Sequence, residues 1–283
     1  MGGPIDAVFE TVAGTATEVQ EGFATRRSYS EAQNPSGETQ LAADIYADDL
    51  LEERLLALDG IASYASEERD GVSTGGTGGP YHVTCDPLDG SSNLVSNNAM
   101  GTIVGVYEQK PPAPGESIVA AGYVLYGPIT TMVTAVGGTV SEYLVESGSR
   151  ELLDEDIVLP EDPVVYGFGG RVPDWPVPFA EYVDGVENER LKLRYGGAMV
   201  ADLNQVLTYG GVFGYPMLVD RPEGKLRLQF EGQPMAKIFA DAGGSSSDGS
   251  RSLLTKEPDH VHERSPVFVG NESLIADLEA TLE

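Results

Sequence analysis

Apolar residues recur at helical spacing near the start of the chain. Ile5, Val8, Phe9, Val12, Ala16 and Val19 predict an amphipathic helix over residues 4–20. A polar stretch follows from Arg26 to Glu38, in which Asn34-Pro35-Ser36-Gly37 marks a loop. The next helix is expected over 40–58, on a stripe running Leu41, Asp44, Asp48, Leu51, Leu55, Leu58 in steps of three and four. Two aspartates thus occupy the side otherwise given to leucine. Burying an unpaired carboxylate is costly, so they face a cation or an active-site cleft, or else belong to a frayed first turn near solvent.

From residue 61 the pattern shortens to strand-like runs. Ile61–Ser66 and Tyr81–Cys85 read as strands joined by a glycine-rich, mobile surface connection over Val72–Pro80. Gly101–Tyr107, Ser117–Tyr126, Ile129–Val136 and Thr139–Val145 follow, separated by turn signals such as Gly127-Pro128 and Gly137-Gly138. Strands this close together imply a largely antiparallel sheet with the helices packed on it. The acidic stretch 147–163, with Pro160 and Pro163, marks a boundary and divides the chain into domains 1–160 and 161–283. Beyond it, strands at Val164–Phe168, Arg190–Tyr195, Val212–Val219 and Leu226–Phe230 alternate with helices at Ala198–Tyr209 and Pro234–Ala242. Asn271 caps a last helix carrying Leu274, Ile275, Leu278 and Leu282.

Composition narrows the classes. With 41% hydrophobic residues in 283, the chain can build a real core despite its charge. The formal net charge of -28 repels nucleic acid and anionic membranes alike. No run of 18 apolar residues and no secretory signal is visible, so a soluble cytoplasmic protein is expected. Cys85 is the one cysteine, which excludes internal disulfides and thiolate metal clusters, and is expected in the core. An acidic, lysine-poor folded chain resembles proteins of halophiles that keep molar salt in the cytoplasm.

Chemistry gathers at Asp86-Pro87-Leu88-Asp89-Gly90-Ser91-Ser92-Asn93. Two carboxylates sit at a strand's end, with Pro87 stiffening the chain between them. The small residues after them offer backbone N–H groups to an anion. Hard carboxylate oxygens beside an anion cradle suit a magnesium-type cation bridging a phosphate; taken alone, Pro and Asp-Gly would read as a type I turn. Glu67-Glu68 ends the preceding strand, and Glu231 stands at a strand-to-helix junction. Either acid, alone, would read as solvated. Lys225 and Arg227 alternate to one strand face near Glu231, as phosphate ligands or as solvated strand charges. Arg194-Tyr195 and Tyr215-Pro216 add donors near strand ends, although Tyr195 and Tyr215 fit equally as amphipathic core residues.

These residues resemble class I fructose-1,6-bisphosphatase, of the lithium-sensitive sugar and inositol phosphatase superfamily, from about Glu38 to Gly244. The resemblance rests on Ser66-Glu67-Glu68, the 86–93 motif, Arg194-Tyr195-Gly196-Gly197-Ala198-Met199, Tyr209-Gly210-Gly211, Lys225-Leu226-Arg227-Leu228, Glu231 and Pro234-Met235-Ala236. It implies a layered α-β-α-β-α sugar-phosphatase fold, with an N-terminal mainly antiparallel sheet domain and a C-terminal mixed-sheet α/β domain. It implies Mg²⁺-dependent hydrolysis of fructose 1,6-bisphosphate in gluconeogenesis, with two or three Mg²⁺ per subunit, or Mn²⁺, in a homotetramer or dimer. Glu67, Asp86, Asp89, Glu231, Glu38 and the Leu88 carbonyl look like the metal ligands. Glu68 and Asp44 resemble the pair that activates water. Gly90, Ser91, Ser92 and Arg227 resemble the cradle of the reacting phosphate. Tyr195, Met199, Tyr215 and Lys225 resemble contacts of the sugar and its second phosphate, and Arg194 a residue lent by a neighbouring subunit. One departure stands out: the family's Asn and Tyr on the second phosphate are replaced within Tyr166-Gly167-Phe168-Gly169-Gly170-Arg171-Val172, where Arg171 is the candidate substitute. The competing readings are an inositol monophosphatase-like enzyme, a sedoheptulose bisphosphatase and, remotely, a non-catalytic acidic Ca²⁺-binding protein.

Overall fold

The computed structural model describes residues 2–75 and 78–283. Helix α1 (Pro4–Gly22) buries the stripe Val8, Phe9, Val12, Ala16 and Val19. The polar stretch after it is more ordered than a loop: β1 (Tyr29–Gln33) and β2 (Thr39–Leu41) pair antiparallel. Asn34 shapes the turn between them, its side-chain oxygen accepting from the Ser36 and Glu38 N–H groups at 3.1 and 2.9 Å. Because Thr39–Leu41 is spent on that pairing, α2 (Ala42–Leu56) starts later than its leucine stripe suggests.

Eight strands then form the first sheet: β3 (Ile61–Ser66), β4 (Val72–Thr74), β5 (Tyr81–Asp89), β6 (Met100–Tyr107), β7 (Ile118–Tyr126), β8 (Thr130–Val136), β9 (Thr139–Glu146) and β10 (Ser149–Asp154). A short helix, α3 (Asn93–Ser96), follows β5. The spatial order is β10-β9-β8-β7-β6-β5-β3-β4. All neighbours are antiparallel except β3 and β5. Two expectations change here. The stretch after Gly71 carries the edge strand β4, while Gly76 and Thr77 lie outside the described residues. The acidic stretch after Glu146 supplies the opposite edge, β10, before the chain leaves the sheet.

The second sheet has the order β12-β11-β13-β17-β15, from β11 (Val165–Phe168), β12 (Lys192–Leu193), β13 (Gly211–Tyr215), β15 (Ser245–Ser247) and β17 (Val267–Gly270). It is mixed: β12, β11 and β13 are parallel, and β17 is antiparallel to both its neighbours. Between β11 and β12 lies an unexpected helix, α4 (Val177–Asn188). The strand expected over 226–230 is cut short. Only β14 (Leu226–Arg227) pairs, with β16 (Arg264–Ser265), and Leu228–Gly232 then winds a π-helical turn into α6 (Gln233–Asp241).

Helices α1 and α2 cover the outer face of the first sheet; α5 (Met199–Tyr209) and α6 fill the space between the two sheets; α4 and α7 (Glu272–Leu282) cover the second sheet's outer face. Three apolar clusters fill the four interlayer spaces, one of them spanning both sides of the central helices, so the architecture is the layered α-β-α-β-α arrangement anticipated. All eight residues of β6 are buried, as two covered faces require. Asn271 stands at the start of α7 but does not cap it. Its side chain accepts from Gly211 N–H at 2.6 Å and donates to the Pro160 carbonyl at 2.8 Å. Among the described residues, no helix is long and apolar enough to cross a membrane.

Candidate active site

The parallel pair β3–β5 is what gathers the acids. The two strands run side by side, with Ser66, the last residue of β3, opposite Cys85. Glu67 and Asp86 therefore emerge side by side, and Glu67 N–H still donates to the Cys85 carbonyl at 3.0 Å. Past Asp86 the chain tightens: Leu88 N–H donates to Asp86 Oδ1 at 3.0 Å, and the Leu88 carbonyl accepts Ser91 N–H at 3.1 Å, keeping one lone pair. Gly90 sits at φ +72°, and a Cβ there would lie 2.3 Å from that of Ala198. Only glycine meets both demands.

Glu231 arrives from the other half of the chain, on the π-helical turn, a feature frequent at functional sites. Its Oε2 accepts Arg227 N–H at 2.6 Å. Glu67, Asp86 and Glu231, all buried, bring ligand oxygens within 4.8 Å of one another. Asp89 lies outside that trio; its Oδ2 accepts Val200 N–H at 2.7 Å, at the start of α5. Arg227 threads between the acids, 2.9 Å from Glu67, 3.1 Å from Glu38 and 4.0 Å from Glu231. It is the cluster's internal counter-ion, a role that its strand position did not reveal.

Burial dominates the electrostatics. It raises the Glu68 and Glu231 carboxyls to about 8, and Asp44 and Asp89 to about 7, with the neighbouring Glu67 charge adding to each. Asp86 is pushed well above the carboxylate range by burial, then by Glu67, Asp89 and Glu231. Glu38 behaves oppositely: burial works against its charge, but Arg227, Lys225 and Arg264 hold it below the usual range. Asp44 Oδ2 accepts Leu41 N–H at 2.6 Å at the start of α2, while its Oδ1 is buried and, among the described residues, has no hydrogen-bond partner.

These groups line one cavity of about 240 Å³. Glu38, Asp44, Glu67, Glu68, Asp86, Leu88, Asp89, Gly90, Ser91, Ser92, Tyr195, Met199, Tyr215, Lys225, Arg227 and Glu231 all reach it. Arg194 does not: it is exposed, and donates to its neighbour's Leu193 carbonyl. Arg171, the candidate substitute on the second phosphate, is exposed and outside the lining. Asp48 is also outside, occupied by Tyr64 and Arg69. Among the lining residues that had been assigned no role from the sequence are Tyr29, Asn34, Gln40 and Asp202. Gln40 donates to Glu68. Asp202 accepts Gly196 and Gly197 N–H at 2.7 and 3.3 Å, and burial raises it to about 6. An acid in the first turn of an apolar helix was the available signal, the same one that marked Asp44.

A five-layer α-β-α-β-α protein with a buried carboxylate trio beside a glycine-serine turn is a sugar-phosphatase-type fold. Residues 16–153 match the family described as Fructose-1-6-bisphosphatase, N-terminal domain, and residues 159–283 its C-terminal domain. The class 1 fructose-1,6-bisphosphatase of Natronomonas pharaonis is 62% identical over all of both chains. That of Haloarcula marismortui is 55% identical, over 99% of this chain and 95% of its own. The crystal structure of Leishmania major fructose-1,6-bisphosphatase in holo form superposes with a TM-score of 0.92 at 28% identity, covering 99% of this chain and 94% of that one. The chain belongs to the fructose-1,6-bisphosphatase family.

Proposed function

We propose that the protein hydrolyses fructose 1,6-bisphosphate to fructose 6-phosphate and inorganic phosphate, using Mg²⁺, with Mn²⁺ as a substitute. The observation that carries this reading is the convergence of Glu67, Asp86 and Glu231 within 4.8 Å in the same cavity as Gly90, Ser91 and Lys225. The donor set fits such a cation, being all hard oxygen, and the buried, unpartnered Asp44 Oδ1 leaves an acceptor facing a need. Glu67, Asp86, Glu231 and the Leu88 carbonyl would hold it, with Asp89 and Glu38 at the margin. When bound, the cation supplies an acidified water and neutralises phosphoryl charge. Burial raises the Glu68 and Asp44 carboxyls, and a cation held beside them would favour their ionised forms, which can take a proton from the attacking water. Gly90, Ser91 and Ser92, with Arg227, receive the reacting phosphate; Lys225, Tyr195, Tyr215 and Met199 contact the sugar and its second phosphate.

In this reading residues 1–160 carry most of the cation site and residues 161–283 most of the sugar site, with Glu231 crossing between them. Arg194, exposed and turned from its own cavity, serves a neighbouring subunit in a cytoplasmic homotetramer or dimer. The test is phosphate release from fructose 1,6-bisphosphate, sedoheptulose bisphosphate and inositol monophosphate at equal concentration, with Mg²⁺ and after chelation. The fructose ester should turn over fastest and only with the cation, and Asp86→Asn should be folded and nearly inactive. Faster turnover of either other ester, or cation binding with no hydrolysis, overturns the reading.

A further inference from the structure

Gly169 follows the last residue of β11 and stands one step beyond the Phe168–Gly214 partners, beside Tyr215. Neighbours in register point to the same sheet face. A Cβ on Gly169 would lie 2.3 Å from both Cδ2 and Cε2 of the Tyr215 ring and 2.7 Å from its Cζ. The ring thus lies flat across the bare backbone of residue 169. That backbone cannot retreat. Its N–H donates to the Gly214 carbonyl at 2.8 Å and its own carbonyl accepts Trp175 Nε1 at 3.0 Å. Gly170, next in line, is held at φ +87° against Leu218 and Trp175. Of the two parties to the clash, only the Tyr215 side chain is free to turn.

The seated ring has work to do in the cavity. Lys225 Nζ stands 5.3 Å from its centroid, within the range of cation–π attraction. Tyr195 lies alongside, its phenol pushed up by burial and then by Tyr215. All three residues line the cavity, whereas Arg171 stays outside it. We propose that Gly169 is a specificity-determining position: the missing side chain seats Tyr215, Tyr215 steadies Lys225, and the pair forms the wall that receives the substrate's second phosphate. This rests on the reading of the substrate as a sugar bisphosphate. A side chain at 169 would turn Tyr215 away and weaken the hold on the second phosphate while leaving hydrolysis of the first intact.

Steady-state kinetics of Gly169→Ala, Tyr215→Ala and the double variant, on fructose 1,6-bisphosphate and on fructose 1-phosphate, test it. Gly169→Ala should raise KM for the bisphosphate about tenfold with kcat within about twofold. It should leave fructose 1-phosphate turnover unchanged and add nothing in the Tyr215→Ala background, because the two residues act as one unit. Equal effects on both substrates, or equal effects in both backgrounds, overturn the proposal. If Gly169→Ala also lowers the melting temperature, Tyr215→Ala should restore it; a double variant as unstable as the single one overturns the proposal too. Failure of the unsubstituted chain to turn over the bisphosphate sinks the substrate reading instead, and the melting comparison still decides whether Gly169 seats Tyr215.

Discussion

Arg69 follows directly on Glu67-Glu68 and spends its guanidinium on α2. Nε engages Asp48, Nη2 stands 2.8 Å from Asp49 and Nη1 3.0 Å from Glu52. Asp48, buried, also accepts the Tyr64 hydroxyl at 2.9 Å. This clamp, rather than a cleft or a frayed turn, accounts for an aspartate on a leucine stripe. The Arg69 carbonyl in turn pairs with His262 Nε2 at 2.8 Å, and the His262 ring packs 5.2 Å from Phe230, the neighbour of Glu231. One residue thereby ties the Glu67-Glu68 turn to the helix of Asp44 and to the turn of Glu231. Removing a charged partner from a buried acceptor costs about 1–3 kcal/mol, and solvent around Arg69 favours the low end. Arg69→Ala should therefore lower the melting temperature modestly and kcat more. Thermal melts run beside phosphate-release kinetics check this; unchanged kcat would show that the turn holds its place without the clamp.

Helix α5 depends on a carboxylate from a distant strand, since Asp89 receives the Val200 N–H of its first turn. Asp89→Asn keeps an acceptor there and should fold normally while losing cation-dependent turnover. Asp89→Ala should also lose about 1 kcal/mol, the usual cost of a missing helix cap. Chemical denaturation of the two variants separates these outcomes. Elements with a long apolar stripe, such as α1, were legible because one buried face dictates them, and β3 and β7 were legible as short runs buried on nearly every residue. Helix α4 escaped notice although Phe179, Tyr182, Val183 and Val186 form its buried side, since Pro176, Pro178 and Gly185 break the pattern. Strand β5 runs past Cys85 through Asp86, Pro87 and Asp89, poor strand formers held by pairing with β6 across an irregularity in register. Residues 226–230 alternate like a strand, and nothing local announces the π-helical turn that swings Glu231 inward. In the cavity, the acids had a motif behind them. The parts played by Arg227 and Gln40 arise only when distant segments meet.

Across the whole molecule, six cavity carboxyls are better protonated folded than unfolded, Asp202 at about 6 being the least shifted. Their ordinary values lie near 4, whereas burial raises Asp44 and Asp89 to about 7, Glu68 and Glu231 to about 8, and Asp86 further. A raised folded pKa contributes stability that is complete below the unfolded value and is lost as pH rises through the folded one. The chelated protein should thus be less stable at about pH 9 than at about pH 6. Mg²⁺ binds the folded, ionised site and should flatten that fall. Because the net charge is -28, the comparison belongs in about 1 M KCl, where screening to about 3 Å removes most surface repulsion. Melting curves at both pH values, with and without Mg²⁺, decide it; a chelated protein that gains stability toward alkaline pH would contradict the burial of these acids.

Strand β17 lies between β13 and β15 in the second sheet, with Phe268 opposite Gly214. The strand beside β13 therefore comes from sequence well beyond Glu231. During synthesis, every cavity acid leaves the ribosome before the sheet behind Tyr215 can close. The growing chain must keep a place open in that sheet and fill it late, a long-range closure of the kind that slows folding. An immature chain should thus stay chemically silent until its far segment is in place, and a stalled product should be a target for quality control rather than a stray phosphatase.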